Sequence, residues 1–165
     1  MKSNDIQNRL YWHLMKKSHK FICPNKYLDD WFECDMLSIT SSDYLHEYEI
    51  KISRSDFKAD FGKEAKHTVL ESNIKKELLT EKKLLKLKCP SFFWYVTPVG
   101  LLTEKDIPEY AGWIEVPESK YPHSGIKVMI VAPRLNTNKV DDTCKLKILE
   151  SMSHRYWQLK LKQGV

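Results

Sequence analysis

Asp35 and the triplet Glu49-Ile50-Lys51 carry the residue types that hold a hard cation and act on a phosphodiester. Two carboxylates, the Ile50 backbone carbonyl and water make an oxygen-only donor set suited to Mg²⁺ or Mn²⁺. An ammonium two residues from Glu49 projects from the same strand face, where it can hold a nucleophilic water and offset charge on a pentacoordinate phosphorus.

This chemistry needs a hairpin to assemble it. Residues 31–40 read as one strand, Ser41-Ser42-Asp43 as a turn and residues 44–53 as a second strand. Centring the hairpin on Ser42 sets Asp35 opposite Glu49 and Glu33 opposite Lys51, with Cβ atoms about 5 Å apart in such pairs. Two carboxylates that close repel, and a shared proton or a bound cation relieves the repulsion. A register slip of one residue would undo the pairing. The plainer reading is a solvated strand face of alternating Glu and Lys with ordinary cross-strand ion pairs. Glu47, nearer the turn, is expected to face solvent, and Glu33 is a supporting residue.

The elements around the hairpin follow from periodicity. Ile6, Leu10 and Leu14 predict a first helix over about 4–18, and Cys23-Pro24-Asn25 breaks it. On the second strand Tyr48, Ile50 and Ile52 point to the core, while Glu47, Glu49, Lys51 and Ser53 point the other way. A helix from Ser55 or Asp56 toward Leu70 buries Phe57, Phe61, Ala65 and Val69, and its first amides could meet a phosphate. The lysine-rich stretch 75–88 reads either as a short amphipathic helix or as an irregular excursion. Strands are expected at 92–97, 112–116 and 127–132. A last helix over about 142–161, capped by Asp141 or Asp142, is expected to bury Leu146, Leu149, Met152 or Ser153, Tyr156 and Leu159. The order is α-β-β-α-β-β-β-α: an α/β chain with a mixed central sheet flanked by helices.

At 165 residues the chain is read as one domain able to bury roughly two-thirds of its unfolded surface. A formal charge of +5 fits a polyanionic partner without demanding one. Arginine occurs only at Arg9, Arg54, Arg134 and Arg155, so each is a candidate planar phosphate contact. The first residues lack the apolar run of a signal peptide, and no stretch reaches the length of a membrane span, so a cytoplasmic protein with no membrane partner is expected. Cys23, Cys34, Cys89 and Cys144 are scattered without a C-x-x-C pair and read as reduced, packed thiols.

The hairpin and the segments C-terminal to it resemble the PD-(D/E)XK, or restriction-endonuclease-like, nuclease superfamily. The run from Glu49-Ile-Lys51 through Ser53-Arg54-Ser55-Asp56-Phe57 to Asp60 resembles bacterial and phage MmcB-like nucleases of DNA-repair type. So do Phe93-Trp-Tyr-Val-Thr-Pro98, Pro108 to Val116 and Ile130-Val-Ala-Pro133, so the likeness spans about residues 31–135. It implies a restriction-endonuclease-like core and a Mg²⁺- or Mn²⁺-dependent deoxyribonuclease, an endonuclease rather than an exonuclease, that processes or repairs phage or mobile-element DNA. It makes Asp35, Glu49 and the Ile50 carbonyl metal ligands, Asp35, Glu49 and Lys51 the catalytic set, and Ser53, Arg54, Lys63 and Lys66 nucleic-acid contacts. Many members dimerise, so a homodimer is an open expectation. The chain departs from the pattern in having Cys34 where a proline precedes the aspartate. Its first helix also has no glutamate as a further ligand, Asp5 being too near the terminus. The glutamine motif and iron–sulfur cysteines of the RecB and Cas4 branches are absent.

Other residues compete with these for a role. His13, His19, His46, His67, His123 and His154 form no zinc-finger pattern. His67 could approach the site from the second helix, although a surface histidine is the plainer reading. Lys75, Lys76, Lys82, Lys83, Lys86 and Lys88 could track a nucleic-acid backbone or simply form a solvated face. The rival from another class is a non-catalytic module on a nuclease scaffold, binding DNA or protein. RNA in place of DNA is a further alternative that no residue excludes.

Overall fold

The structure is a computed structural model and describes residues 1–121 and 124–163, so His123 lies outside the described residues. Six strands form one mixed sheet in sequential order, with helices on both faces. Helix α1 (Ser3–Met15) is followed by strands β1 (His19–Tyr27), β2 (Glu33–Thr40) and β3 (Leu45–Ile50). Helices α2 (Arg54–Asp60), α3 (Glu64–Lys75) and α4 (Lys82–Leu85) lead to β4 (Phe92–Pro98), β5 (Ala111–Val116) and β6 (Lys127–Ile130). Helix α5 (Asp142–Lys162) ends the described chain. Strand β2 is antiparallel to both β1 and β3, β3, β4 and β5 run parallel, and β6 returns antiparallel to β5.

Strand alternation divides the core between the two sheet faces. Met36, Tyr48, Ile50, Trp94, Val96 and Ile114 pack beneath Ile6, Leu10 and Leu14 of α1. Leu37, Ile39, Phe93, Tyr95 and Trp113 pack on the opposite face with Phe57, Val69, Leu70 and Ile148. Glu47 and Glu49 belong to this second face by alternation, so the carboxylates lie under α3 rather than in solvent. At Gly112 the backbone passes so close to its neighbours that a Cβ would lie 2.4 Å from Trp94 Cε3 and 2.6 Å from Ala132 N.

The hairpin has the register centred on Ser42: Met36 pairs with Tyr48, Leu37 with Glu47, Ser38 with His46 and Ile39 with Leu45. Asp43 turns the chain in the left-handed region at φ 68°, a conformation aspartate tolerates. Several expectations are corrected. Cys23-Pro24-Asn25 does not end the first helix, which stops at Met15, and lies inside a strand, β1. Pro24 is tolerated because β1 is an edge, and a register irregularity and positive φ at Phe21 and Asn25 absorb the local strain. Strand β3 stops at Ile50, so Glu33 finds no partner in Lys51 and pairs with Tyr27 of β1 instead. Ile52 is exposed rather than core.

The single helix expected over 55–70 is two, divided at Phe61-Gly62-Lys63. The stretch 75–88 contains only the one turn α4, which anchors itself through Leu84. Asp141 caps α5 by accepting from Cys144 N–H at 2.8 Å. The face of α5 carrying Leu146, Leu149, Tyr156 and Leu159 is exposed, and Ile148 is the buried anchor. Further half-buried contacts are made by Cys144 and Met152, by Lys145 on Asp43, and by Arg155, which donates to the Pro24 and Asn25 carbonyls. Among the described residues no helix is long and apolar enough to cross a membrane.

Candidate active site

Asp35 sits at the open end of the β2–β3 hairpin, one residue beyond the Met36–Tyr48 pair. Its Oδ2 accepts the Ile50 N–H at 2.7 Å, tying the aspartate to the strand that carries Glu49. Gln7 of α1 holds the other side, donating to the Asp35 carbonyl at 2.8 Å and to Asn25 Oδ1 at 2.9 Å. Burial, and the Glu49 charge after it, raise the Asp35 carboxyl above the ordinary carboxylate range, against the opposing Ile50 N–H. A carboxyl raised in part by a second carboxylate is the electrostatic mark of a pair that a proton or cation would relieve.

Glu49 is surrounded by ammonium groups. Lys51 Nζ is 3.1 Å from Oε2, while Lys63 Nζ at 3.4 Å and Lys66 Nζ approach Oε1. Burial alone would raise its carboxyl; Lys66, Lys51 and Lys63 outweigh burial and hold it below the usual range. Lys51 spans to a third carboxylate, Asp60, at 3.0 Å, and these two anions keep it charged in spite of burial. Asp60 opposes burial through His67, Lys51, Lys66 and Lys63, which hold its carboxyl far below the ordinary value. Asp35, Glu47, Glu49 and Asp60 set four carboxylates against the ammonium groups of Lys51, Lys63 and Lys66. With all ionised, one negative charge stays uncompensated, and Asp35 is the carboxylate with no ammonium bonded to it among the described residues.

The structure therefore brings Asp35, Glu49 and Lys51 together and relocates the other expected site residues. Lys66, expected on an outer basic face, has no exposed surface and lies between Glu47 and Glu49 with its Nζ 4.9 Å from the Phe93 ring centre. It shares the inward face of α3 with Val69 and Leu70, one turn on, so it cannot meet a nucleic acid. Lys63 remains 41% exposed at the rim of the cluster. Ser53 caps α2, its Oγ accepting from Asp56 N–H at 3.1 Å while Asp56 Oδ2 accepts from Ile52 N–H at 3.3 Å. Of the amides expected to greet a phosphate, that of Asp56 is thus already used. Arg54 points away to the Leu101 carbonyl and Asp106, each at 2.9 Å.

Glu47, expected in solvent, is 1% exposed; Trp31 Nε1 donates to its Oε2 at 2.5 Å, and burial raises its carboxyl more than Lys66 lowers it. His67, expected at the surface, is buried against Phe61. Its Nε2 donates to the Asp60 carbonyl at 2.9 Å, since that oxygen can only accept, and its Nδ1 lies 2.7 Å from Tyr110 Oη. Asp60, Tyr95 and Tyr110 are site residues that sequence reasoning does not single out. The available signal is Gly62, which divides the helix and turns Lys63, Lys66 and His67, spaced three and four apart, onto one face above β3.

Among the described residues no three His, Cys, Asp or Glu side chains converge as a metal-holding group. Asp35 and Glu49 supply two hard oxygen-donor side chains, and Asp35 is the one that no ammonium bonds among the described residues. That donor chemistry fits one cation completed by backbone oxygen and water, provided an ammonium yields an edge of Glu49. Separately, a cavity of about 540 Å³ lies between α3, α4 and α5, walled by Trp31, Val69, Leu84 and Ile148; Asp35, Glu49 and Lys51 are not among its walls.

No family model matches the chain, and no curated protein matches it. Among solved structures it is similar to SPO1766, a protein of unknown function from Silicibacter pomeroyi, with a TM-score of 0.67 and 12% identity over 100% of this chain and 95% of that one. At that identity the likeness shows a shared fold alone.

Proposed function

We propose that the chain is a Mg²⁺- or Mn²⁺-dependent deoxyribonuclease built on a restriction-endonuclease-like core. The observation that carries this reading is the Asp35 carboxylate bonded to Ile50 N–H beside Glu49, with Lys51 on the same sheet face. Asp35 and Glu49 would hold the ion, together with the Ile50 carbonyl. A divalent ion there would lower the pKa of water and neutralise charge developing on the phosphodiester. Lys51, kept as an ammonium, orients the attacking water and offsets charge at phosphorus. Lys63, at the rim, is the basic group of the cluster open to a backbone phosphate.

Cleavage of plasmid and linear DNA by a clean preparation, with and without Mg²⁺, tests this. Glu49→Ala and Lys51→Ala should each lower the rate by at least about a hundredfold, as loss of a transition-state charge stabiliser does elsewhere. Undiminished cleavage by either variant would sink the mechanism.

A second reading draws on Glu49 itself, whose two oxygens are already engaged by three ammonium groups. A cluster neutralised from within suits a scaffold that binds DNA or protein without cutting. Calorimetric titration with Mn²⁺ separates the two: heat of binding that Asp35→Asn removes supports the nuclease, and silence with or without DNA supports the module.

A further inference from the structure

Lys51 Nζ stands between two carboxylates at nearly equal distance, 3.1 Å from Glu49 Oε2 and 3.0 Å from Asp60 Oδ1. Glu49 is a proposed ligand, whereas Asp60 lies on the far side of the lysine at the end of α2. The Asp60 side chain has no exposed surface and is fixed from several directions. Tyr95 Oη donates to Oδ2 at 3.1 Å, His67 Nε2 lies 3.4 Å from the same oxygen, and Lys63 Nζ lies 3.0 Å from Oδ1. His67 is held in turn by Tyr110.

We infer that Asp60 is a positioning residue for Lys51: it gives the ammonium a second berth, so that Lys51 can leave Glu49 Oε2 and clear a carboxylate edge for the cation. A lysine side chain only 6% exposed can neither step into water nor remain unpaired without a large desolvation cost. Without Asp60 it would stay on Glu49 and compete with the ion for the same oxygen. With Asp60 it moves by a fraction of its length and keeps a buried counter-ion, still on the sheet face that carries Glu49. The other oxygen of Glu49 stays with Lys66, which it shares with Glu47, while Lys63 can swing to solvent, so Oε2 is the edge that the move of Lys51 frees. This inference rests on the metal-dependent reading and adds to it the group that makes Glu49 available.

Titrating Mn²⁺ into the full chain tests it, using the wild type, Asp60→Asn, Lys51→Met and the double variant. Asp60→Asn should weaken Mn²⁺ binding by about tenfold or more, the size seen when groups behind metal ligands are removed. Adding Lys51→Met should restore affinity to that of Lys51→Met alone, because the competing ammonium is gone. An aspartate needed only for folding would weaken binding equally in both backgrounds, and that result overturns the inference. If Asp60→Asn does not fold, Tyr95→Phe, which removes a donor aiming Asp60, replaces it with a smaller loss and the same rescue. Urea unfolding of the same proteins checks that each variant is folded before titration. If the wild type takes up no Mn²⁺, the metal reading falls and the inference that rests on it falls with it, whereas equal weakening in both backgrounds overturns the inference alone.

Discussion

The ammonium of Lys66 lies 2.6 Å from Glu47 Oε1, with the lysine wholly buried and the glutamate 1% exposed. The same ammonium bonds Glu49, so one α3 side chain spans two carboxylates of β3. It thereby ties the helix to the sheet at the point where the candidate site begins. Glu47 and Glu49 keep Lys66 charged in spite of burial.

Removing that charge leaves two carboxylates buried against each other. Lys66→Met should cost about 3–5 kcal/mol, the range for breaking a buried ion pair from one side. Adding Glu47→Gln should recover part of the loss, because one of the stranded charges is then gone. Urea unfolding of the single and double variants measures both. A Lys66→Met protein as stable as the parent would show that the lysine does not hold the cluster.

The α1 face of the sheet makes a separate prediction about acid. His46 is buried, accepts the Trp94 indole N–H on Nδ1 at 3.1 Å, and stacks on Phe92. His19 lies 4.8 Å from it, ring centre to ring centre. Burial lowers His46 from 6.5 to about 3 and His19 to about 4, with neighbouring positive charge adding to each. The unfolded chain therefore binds a proton on each below pH 6.5 while the folded chain does not. Stability is full above that pH and falls as pH drops toward 4, by about 2 kcal/mol per histidine at pH 5 as an upper figure. Unfolding at pH 7, 6 and 5 should show this slope, and His46→Gln should flatten it. A variant with the parental slope would remove His46 as a cause.

Helix α5 separates anchoring from display. Ile148 is fully buried, while Trp157, Leu159 and Leu161 are more than half exposed. Ile148→Ala should cost about 2–4 kcal/mol through lost burial and a cavity. Leu159→Ser and Leu161→Ser should stay within about 0.5 kcal/mol of the parent. Thermal unfolding reads the contrast, and a large loss from either leucine would place the outer face in a packed contact.

The parts of the architecture legible in the sequence are those set by local pattern. The runs at β4 and β5, the Ser42-centred hairpin and the Asp141 cap depend on alternation, turn chemistry and capping within a few residues. Edge position is not local: Pro24 argues against a strand unless that strand is known to need no partner on one side, and only the finished sheet makes β1 an edge. The apolar stripe of α5 shows the converse, since periodicity marks a face suited to burial without saying that anything covers it.

For the candidate site, the sequence by itself determined the donor types and their spacing: Asp35, Glu49 and Lys51, brought to one face by a period of two and a turn at Ser42. Tertiary structure decided their electrical surroundings. The break at Gly62 swings α3 over β3, so Lys66 and His67 enter the core, Glu47 is buried with them, and Asp60 becomes the second partner of Lys51. Charge compensation in a low-dielectric interior depends on which side chains meet across elements, and no local pattern records that.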